Sequence, residues 1–283
     1  MEYDSGSDAA MSLEETSYTP RGRFFMEISY DGSEYSGWQI QPHSPSVQEA
    51  LQKELAKLYD GQSIHLIGSS RTDAGVHAQR FAASFLFPER PDIPRERLFK
   101  ALNRRLPPAI RIRSLKEVPL EFHSRYDALG KAYTYVLNLG DETPFSCRYS
   151  WRSIHELDPT RIDAAARRLV GTHDYSSFVV ERSAIDDAVR TIYRIEVRTV
   201  GRFCCVTFIG NGFLYKMIRC MMGTLEAAGA GKISPDDVTE ILEARDRTRA
   251  PETAPARGLF LMKVFYDTGE LENYQPEGVP FWR

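Results

Sequence analysis

The chain has 283 residues, 42% of them hydrophobic and 27% charged, with a formal net charge of −3. A chain of this size buries a core large enough to need no disulfide or metal staple, and at roughly 150 residues per domain it suggests two domains. No apolar run approaches the ~20 residues needed to span a bilayer, which argues against a transmembrane protein.

The charge is unevenly spread. Residues 1–20 carry Glu2, Asp4, Asp8, Glu14 and Glu15 and no lysine or arginine, so the remainder holds 36 basic against 34 acidic side chains. A nucleic-acid surface needs a local basic face rather than a basic whole, so composition is silent on that partner. Residues 1–21 read as a disordered acidic tail, without the plan of a signal peptide or the arginine-rich character of a transit peptide. The four cysteines, Cys147, Cys204, Cys205 and Cys220, form no C-x-x-C pair, which speaks against structural zinc. They read as buried, reduced thiols, with Cys204 and Cys205 on opposite faces of a strand. The expected compartment is the cytoplasm, although an organelle form whose transit segment had been removed would look the same.

Phe24–Tyr30 reads as a strand and runs into a loop rich in glycine and aromatics, DGSEYSGWQIQPHS from Asp31. Ser46, with Glu49 three residues on, has capping-box spacing and opens a helix in which Val47, Leu51, Leu55 and Leu58 recur at helical intervals. Ser63–Gly68 and Arg80–Phe87 read as strands flanking SSRTDAGVHA, Pro94–Arg105 as a helix and Ile110–Val118 as a strand. The order β-α-β-β-α-β then repeats. Lys131–Leu139 alternates as a strand. Asp158 caps a helix with Pro159 at its first position and Gly171 closing it. Thr191–Val200 and Phe203–Ile209 read as strands, Phe213–Ala228 as a helix, Ser234–Pro235 as the start of a shorter one, and Leu259–Tyr266 as the last strand.

The fold class is therefore α+β: two ferredoxin-like β-α-β-β-α-β halves forming a mainly antiparallel sheet with helices on one face. The expected domains are 22–125 and 126–270, with 271–283 as a tail and the turnover near Ser124–Gly130.

Two apparent motifs fail on inspection. GAGK at Gly229–Lys232 lacks the leading glycine of a phosphate loop, where Glu226 stands, and the following Ser or Thr, where Ile233 stands. GNG at Gly210–Gly212 has Tyr215 where a dinucleotide fingerprint needs its third glycine. The histidines show no metal-ligand spacing, so a metal or nicotinamide enzyme has little support.

The loop Arg71-Thr72-Asp73-Ala74-Gly75-Val76-His77 differs from an ordinary turn. It places a carboxylate two residues from a guanidinium between two apolar strands. A salt-bridged turn would account for an arbitrary R-x-D; a small site with an ionised carboxylate, able to act as nucleophile or base, accounts for this one as well. The heptapeptide resembles the catalytic loop of the TruA family of tRNA pseudouridine synthases. Further segments are similar to that family in the same order: Tyr30-Asp31-Gly32-Ser33 with Tyr35 and Gly37-Trp38-Gln39; Ser46-Val47-Gln48; Phe122-His123-Ser124-Arg125; Lys131-Ala132-Tyr133-Thr134-Tyr135; Asp174 to Phe178; Phe213-Leu214-Tyr215 through Arg219 and Gly223-Thr224-Leu225; Asp246-Arg247-Thr248; and Ala254-Pro255 to Gly258-Leu259. The resemblance covers roughly residues 22–267.

It implies isomerisation of uridine to pseudouridine in the anticodon stem-loop of tRNA (positions 38–40), no metal or organic cofactor, no membrane, and a homodimer. Asp73 matches the catalytic aspartate, Arg71 the basic loop residue that helps hold an extruded nucleotide, and Arg219 the helix arginine that pairs with the aspartate. Tyr133 matches the tyrosine that stacks on the uracil and Leu259 an apolar residue on its other side. His77 and Lys216 are expected as further substrate contacts, Lys216 to RNA phosphate and on one helix face with Arg219. Ser70, Lys216 and Cys220 depart from the family's usual Gly, His or Asn, and Asn, which leaves substrate choice open. Three other readings stand beside this one: a catalytically silent tRNA-binding protein, a synthase of the same fold acting on another RNA, and a hydrolase using Asp73 and His77. Among the other basic clusters, Arg190 and Arg194 are expected on one face of a strand.

Overall fold

The computed structural model describes residues 18–180 and 187–282. The expected tail falls outside the described residues as far as residue 17, but its last four residues do not. The Tyr18 hydroxyl donates to the Leu86 carbonyl at 2.6 Å. The first strand, β1 (Pro20–Tyr30), already pairs at Pro20 with Pro88. The chain divides into two compact units, Met1–Ala128 and Leu129–Arg283.

In the first unit β1 is followed by α1 (Val47–Leu58), β2 (Ile67–Gly68), β3 (His77–Pro88), α2 (Arg95–Arg105) and β4 (Ile110–Val118). Neighbours run antiparallel in the order β4-β1-β3-β2. This is the strand order of a split β-α-β unit. Helix α1 starts where its cap predicts, with Ser46 Oγ accepting from the Glu49 N–H at 3.2 Å. It buries Val47, Leu51 and Leu55 completely, each leucine contributing about 1.5–3 kcal/mol.

Strand β2 is shorter than the expected Ser63–Gly68. Side chains of α1 take the backbone groups a neighbouring strand would have used: Gln52 Oε1 accepts from the Leu66 N–H at 3.1 Å and Gln48 Nε2 donates to the Leu66 carbonyl at 2.9 Å.

The second unit contains β5 (Gly130–Asn138), α3 (Pro159–Ala166), β6 (Gly171–Asp174), β7 (Val189–Val200), β8 (Phe203–Gly210), α4 (Met217–Gly229), α5 (Pro235–Ala244), β9 (Leu259–Phe265) and α6 (Thr268–Glu272). Its order β9-β5-β8-β7 repeats that of the first unit, with β6 added at the edge. Both units are thus mainly antiparallel sheets flanked by helices.

Four details differ from expectation. Gly171, at φ 125°, opens β6 instead of ending a helix; α3 gives way to a 3-10 turn at Arg167–Leu169. Helix α4 begins at Met217, not Phe213, because Lys216 before it is left-handed at φ 57°. Arg190 and Arg194 face opposite sides of β7, since a bulge sets Ile192 against Gly210 but Arg194 against Ile209. Residues past 270 form part of the packing: Phe281 lies 5.4 Å from both Tyr149 and Phe203, and Val279 is buried with Ala132, Val136 and Phe260.

Candidate active site

The loop between β2 and β3 is built on a tight turn. The Val76 N–H donates to the Asp73 carbonyl at 3.1 Å. Gly75, third in that turn, takes φ 79°, the position where such a turn demands glycine. Thr72 points inward at 8% exposure, while Asp73 is half-buried and Arg71 exposed. The loop therefore turns the Thr72 hydroxyl into the unit, with half-buried Asp73 next to it.

The glycine- and aromatic-rich segment after β1 holds this turn in place. Tyr30 Oη lies 2.8 Å from Thr72 Oγ1. The Trp38 N–H donates to the Thr72 carbonyl and the Gly75 N–H to the Tyr35 carbonyl, both at 3.3 Å. Gly37 sits at φ 92°, and a Cβ there would lie 2.1 Å from the Thr72 carbonyl oxygen. Trp38, 2% exposed, stacks on Phe81 of β3 at 4.0 Å between ring centroids. Tyr30, Gly37 and Thr72 thus brace the turn, a task that motif resemblance alone does not assign them; the signal for it in the sequence is a glycine- and aromatic-rich loop placed directly after a strand.

His77, expected at the substrate, is placed otherwise. Its ring is 1% exposed. Nδ1 accepts the Gly32 N–H at 3.1 Å, with Asp31 Oδ1 at 3.2 Å from the same nitrogen. His77 thus ties the end of the Arg71–His77 loop to the segment that follows β1 instead of reaching outward.

In the second unit Tyr133 lies on β5 and Leu259 at the start of β9. Their register, Tyr133 opposite Leu261 and Tyr135 opposite Leu259, puts both on one face of the sheet. They are 7% and 6% exposed. Phe213 meets the Tyr133 ring edge-on at 5.4 Å. The Tyr135 hydroxyl donates to the Pro255 carbonyl at 2.7 Å; burial raises its pKa, against the smaller lowering effect of Arg219 and Arg257.

Arg219 lies in the first turn of α4. Its Nε donates to the Ala254 carbonyl at 2.8 Å, and the Ala254 N–H donates back to the Arg219 carbonyl at 3.0 Å. This exchange fixes the root of the guanidinium. Lys216 precedes the helix, so the expected shared helix face with Arg219 does not form; its Nζ instead lies 4.7 Å over the Tyr215 ring.

Among the described residues no group of three or more His, Cys, Asp or Glu side chains is arranged to hold a metal, and no helix is long and apolar enough to cross a membrane.

A family model described as tRNA pseudouridine synthase matches residues 26–127 and 165–267. A protein named tRNA pseudouridine synthase A from Exiguobacterium sibiricum is 43% identical over 244 residues, 86% of this chain and 96% of its own. Proteins of the same name from Thermoanaerobacter sp. and Lacticaseibacillus casei are 41% and 42% identical, each across 84% of this chain and 97% of its own. A chain of a solved structure titled "Crystal Structure of a Cbf5-Nop10-Gar1 Complex" aligns over 84% of this chain and 58% of its own at 12% identity with a TM-score of 0.35, too distant to bear on the reading. The matches run through both units and include the loop that carries Asp73, and the chain belongs to the TruA family of tRNA pseudouridine synthases.

Proposed function

We propose that the chain isomerises uridine to pseudouridine in the anticodon stem-loop of tRNA, with Asp73 as the catalytic carboxylate. The reaction breaks the C1′–N1 bond, turns the uracil and joins C1′ to C5; the proton leaves C5 and N1 gains one. No oxidant or reductant is consumed. A carboxylate serves such a reaction by attacking the sugar or base or by taking a sugar proton.

The observation that carries the reading is the braced loop: Thr72 held inward and half-buried Asp73 beside it on a fixed turn. Arg71, exposed on the same loop, holds the nucleotide once it leaves its stack, a displacement that costs a few kcal/mol. Tyr133 stacks on the base, a contact worth about 1–3 kcal/mol, and Leu259 packs its other side. Arg219, its root fixed by Ala254, is the cation assigned to pair with the carboxylate. Lys216 meets phosphate, and His77 acts through the loop rather than on substrate. The chain works as a homodimer in the cytoplasm; Phe145 and Ile154, 85% and 93% exposed, give a second copy apolar surface to cover.

Tritium release from tRNA labelled at uracil C5 tests this. Wild type releases tritium and Asp73→Asn does not, while both bind tRNA. Multiple turnover by Asp73→Asn would remove Asp73 from the chemistry. Release from labelled positions outside the anticodon stem-loop alone would reassign the target.

A further inference from the structure

The guanidinium groups of the basic clusters differ in what they already bind. Arg111 and Arg190 donate to nearby backbone carbonyls, Arg194 to that of Tyr274, and Arg247 to that of Ala250. Arg167 and Arg168 are paired with Asp163 and Asp236.

Helix α2 carries a different kind of cation. Arg97, Lys100 and Arg104 recur at i, i+3 and i+7 and are all exposed, while Leu98 and Leu102 are fully buried on the inner face. Asn103 clamps α2 to β4 with both halves of its amide: Nδ2 donates to the Ile112 carbonyl at 3.0 Å and Oδ1 accepts the Ile112 N–H at 2.8 Å. Nearby carboxylates are engaged elsewhere. Glu54 takes Lys57 at 2.6 Å and Arg105 at 2.9 Å, and Glu96 takes Arg95. Among the described residues Arg97, Lys100 and Arg104 have no carboxylate within ion-pair distance, although Lys100 is near enough to Glu96 to act on it through its field. An open groove of about 920 Å³, lined by these cations with Arg105, Pro94, Ala101 and one carboxylate, the Arg95-paired Glu96, runs along the row.

A fixed helix thus holds three cations along roughly 10 Å of its axis. The groove adds no aromatic ring and no amide that could read a base edge. We propose that this face of α2 is a docking surface for the sugar-phosphate backbone of tRNA, one that positions the substrate without reading its sequence. The proposal rests on tRNA being the substrate, and uses residues other than those assigned to the reaction.

The test is the salt dependence of binding to an unmodified full-length tRNA transcript, with wild type and the variant Arg97→Ala/Lys100→Ala/Arg104→Ala. Each phosphate contact contributes about 0.9 to the slope of log K against log salt, so the triple variant's slope falls by roughly 2–3. Kd rises about tenfold or more at low salt, while the single-turnover rate at saturating protein and the melting temperature stay at wild-type values. Arg97→Lys/Arg104→Lys keeps the wild-type slope. An unchanged slope in the triple variant overturns the docking surface, whether or not affinity falls. Failure of wild type to bind or modify tRNA sinks the functional reading itself, whereas wild-type binding by the triple variant, alongside an inactive Asp73→Asn, sinks the docking surface alone.

Discussion

The hydroxyls of Tyr30 and Thr72 meet 2.8 Å apart inside the first unit, one residue from the carboxylate of Asp73. Tyr30 is 3% and Thr72 8% exposed. Removing one member of a buried hydroxyl pair costs about 1–3 kcal/mol, whereas removing both costs less than the sum. Thr72→Val and Tyr30→Phe each lose stability in this range, and single-turnover pseudouridine formation falls roughly tenfold as the loop loosens. Tyr30→Phe/Thr72→Val is less impaired than the two added together, and Thr72→Ser restores the rate. Urea unfolding beside tritium release measures both; equal failure of Thr72→Ser and Thr72→Val would assign Thr72 to packing.

Gly37 is the second brace, and here the constraint is steric. Its φ of 92° disfavours any side chain, and a Cβ would press on the Thr72 carbonyl. Gly37→Ala must shift residues 35–38 or the loop itself, at a cost of about 1–3 kcal/mol. The expected result is a folded protein with a lower urea midpoint, faster amide exchange at Trp38 and Gly75, and little turnover. Wild-type exchange at those two amides would contradict the close approach.

Much of this architecture was legible in the sequence, for identifiable reasons. Helices announce themselves through caps: Ser46, Asp158 with Pro159 and Ser234 with Pro235 all stand where their helices start. Long strands announce themselves through apolar runs bounded by turn residues, which carry the β-α-β-β-α-β order along the chain. Short elements depend on partners that lie far off in sequence. The four residues of β6 pair with β7, and β2 shrinks because Gln48 and Gln52 of α1 capture Leu66. The bulge that separates Arg190 from Arg194 belongs to the pairing with β8 and leaves no mark in the residue pattern. Asp73 and Arg71 are candidates through resemblance to a motif, whereas the inward placement of His77 depends on its ring meeting Gly32, which no spacing shows.

In the second unit a buried carboxylate depends on one hydroxyl. Ser153 donates to Glu226, which is 9% exposed on α4, and accepts the His155 N–H at 2.9 Å. Ser153→Ala removes the donor and leaves the carboxylate's burial uncompensated at that contact. Destabilisation of about 1–3 kcal/mol is expected. Glu226→Gln tolerates the loss better, because a neutral amide is cheaper to bury than a charge. Urea midpoints for the two variants and their combination decide it; Ser153→Ala at the wild-type midpoint would show that the hydroxyl contributes nothing.

Cys204 and Cys205 make stability depend on pH on the alkaline side. Burial pushes both thiols from an ordinary value near 9 up to about 12, with Cys205 adding to the effect on Cys204. In the unfolded chain a thiol ionises near 8.5. Below that pH both states are protonated and the thiols' contribution to stability is fully present. Above it the unfolded chain releases protons that the folded chain retains, so folded stability falls progressively until the native thiols ionise near 12. The loss approaches about 1.4 kcal/mol per pH unit for each thiol. Urea unfolding at pH 7.5 and pH 10 should therefore show a fall that is shallower in Cys204→Ala/Cys205→Ala, whose midpoint at pH 7.5 is lower through lost packing. At pH 8 a thiol reagent should label half-buried Cys147 quickly and the buried Cys204, Cys205 and Cys220 only on unfolding. Rapid labelling of all four in the native protein, or identical pH slopes for variant and wild type, would rule out the buried-thiol account.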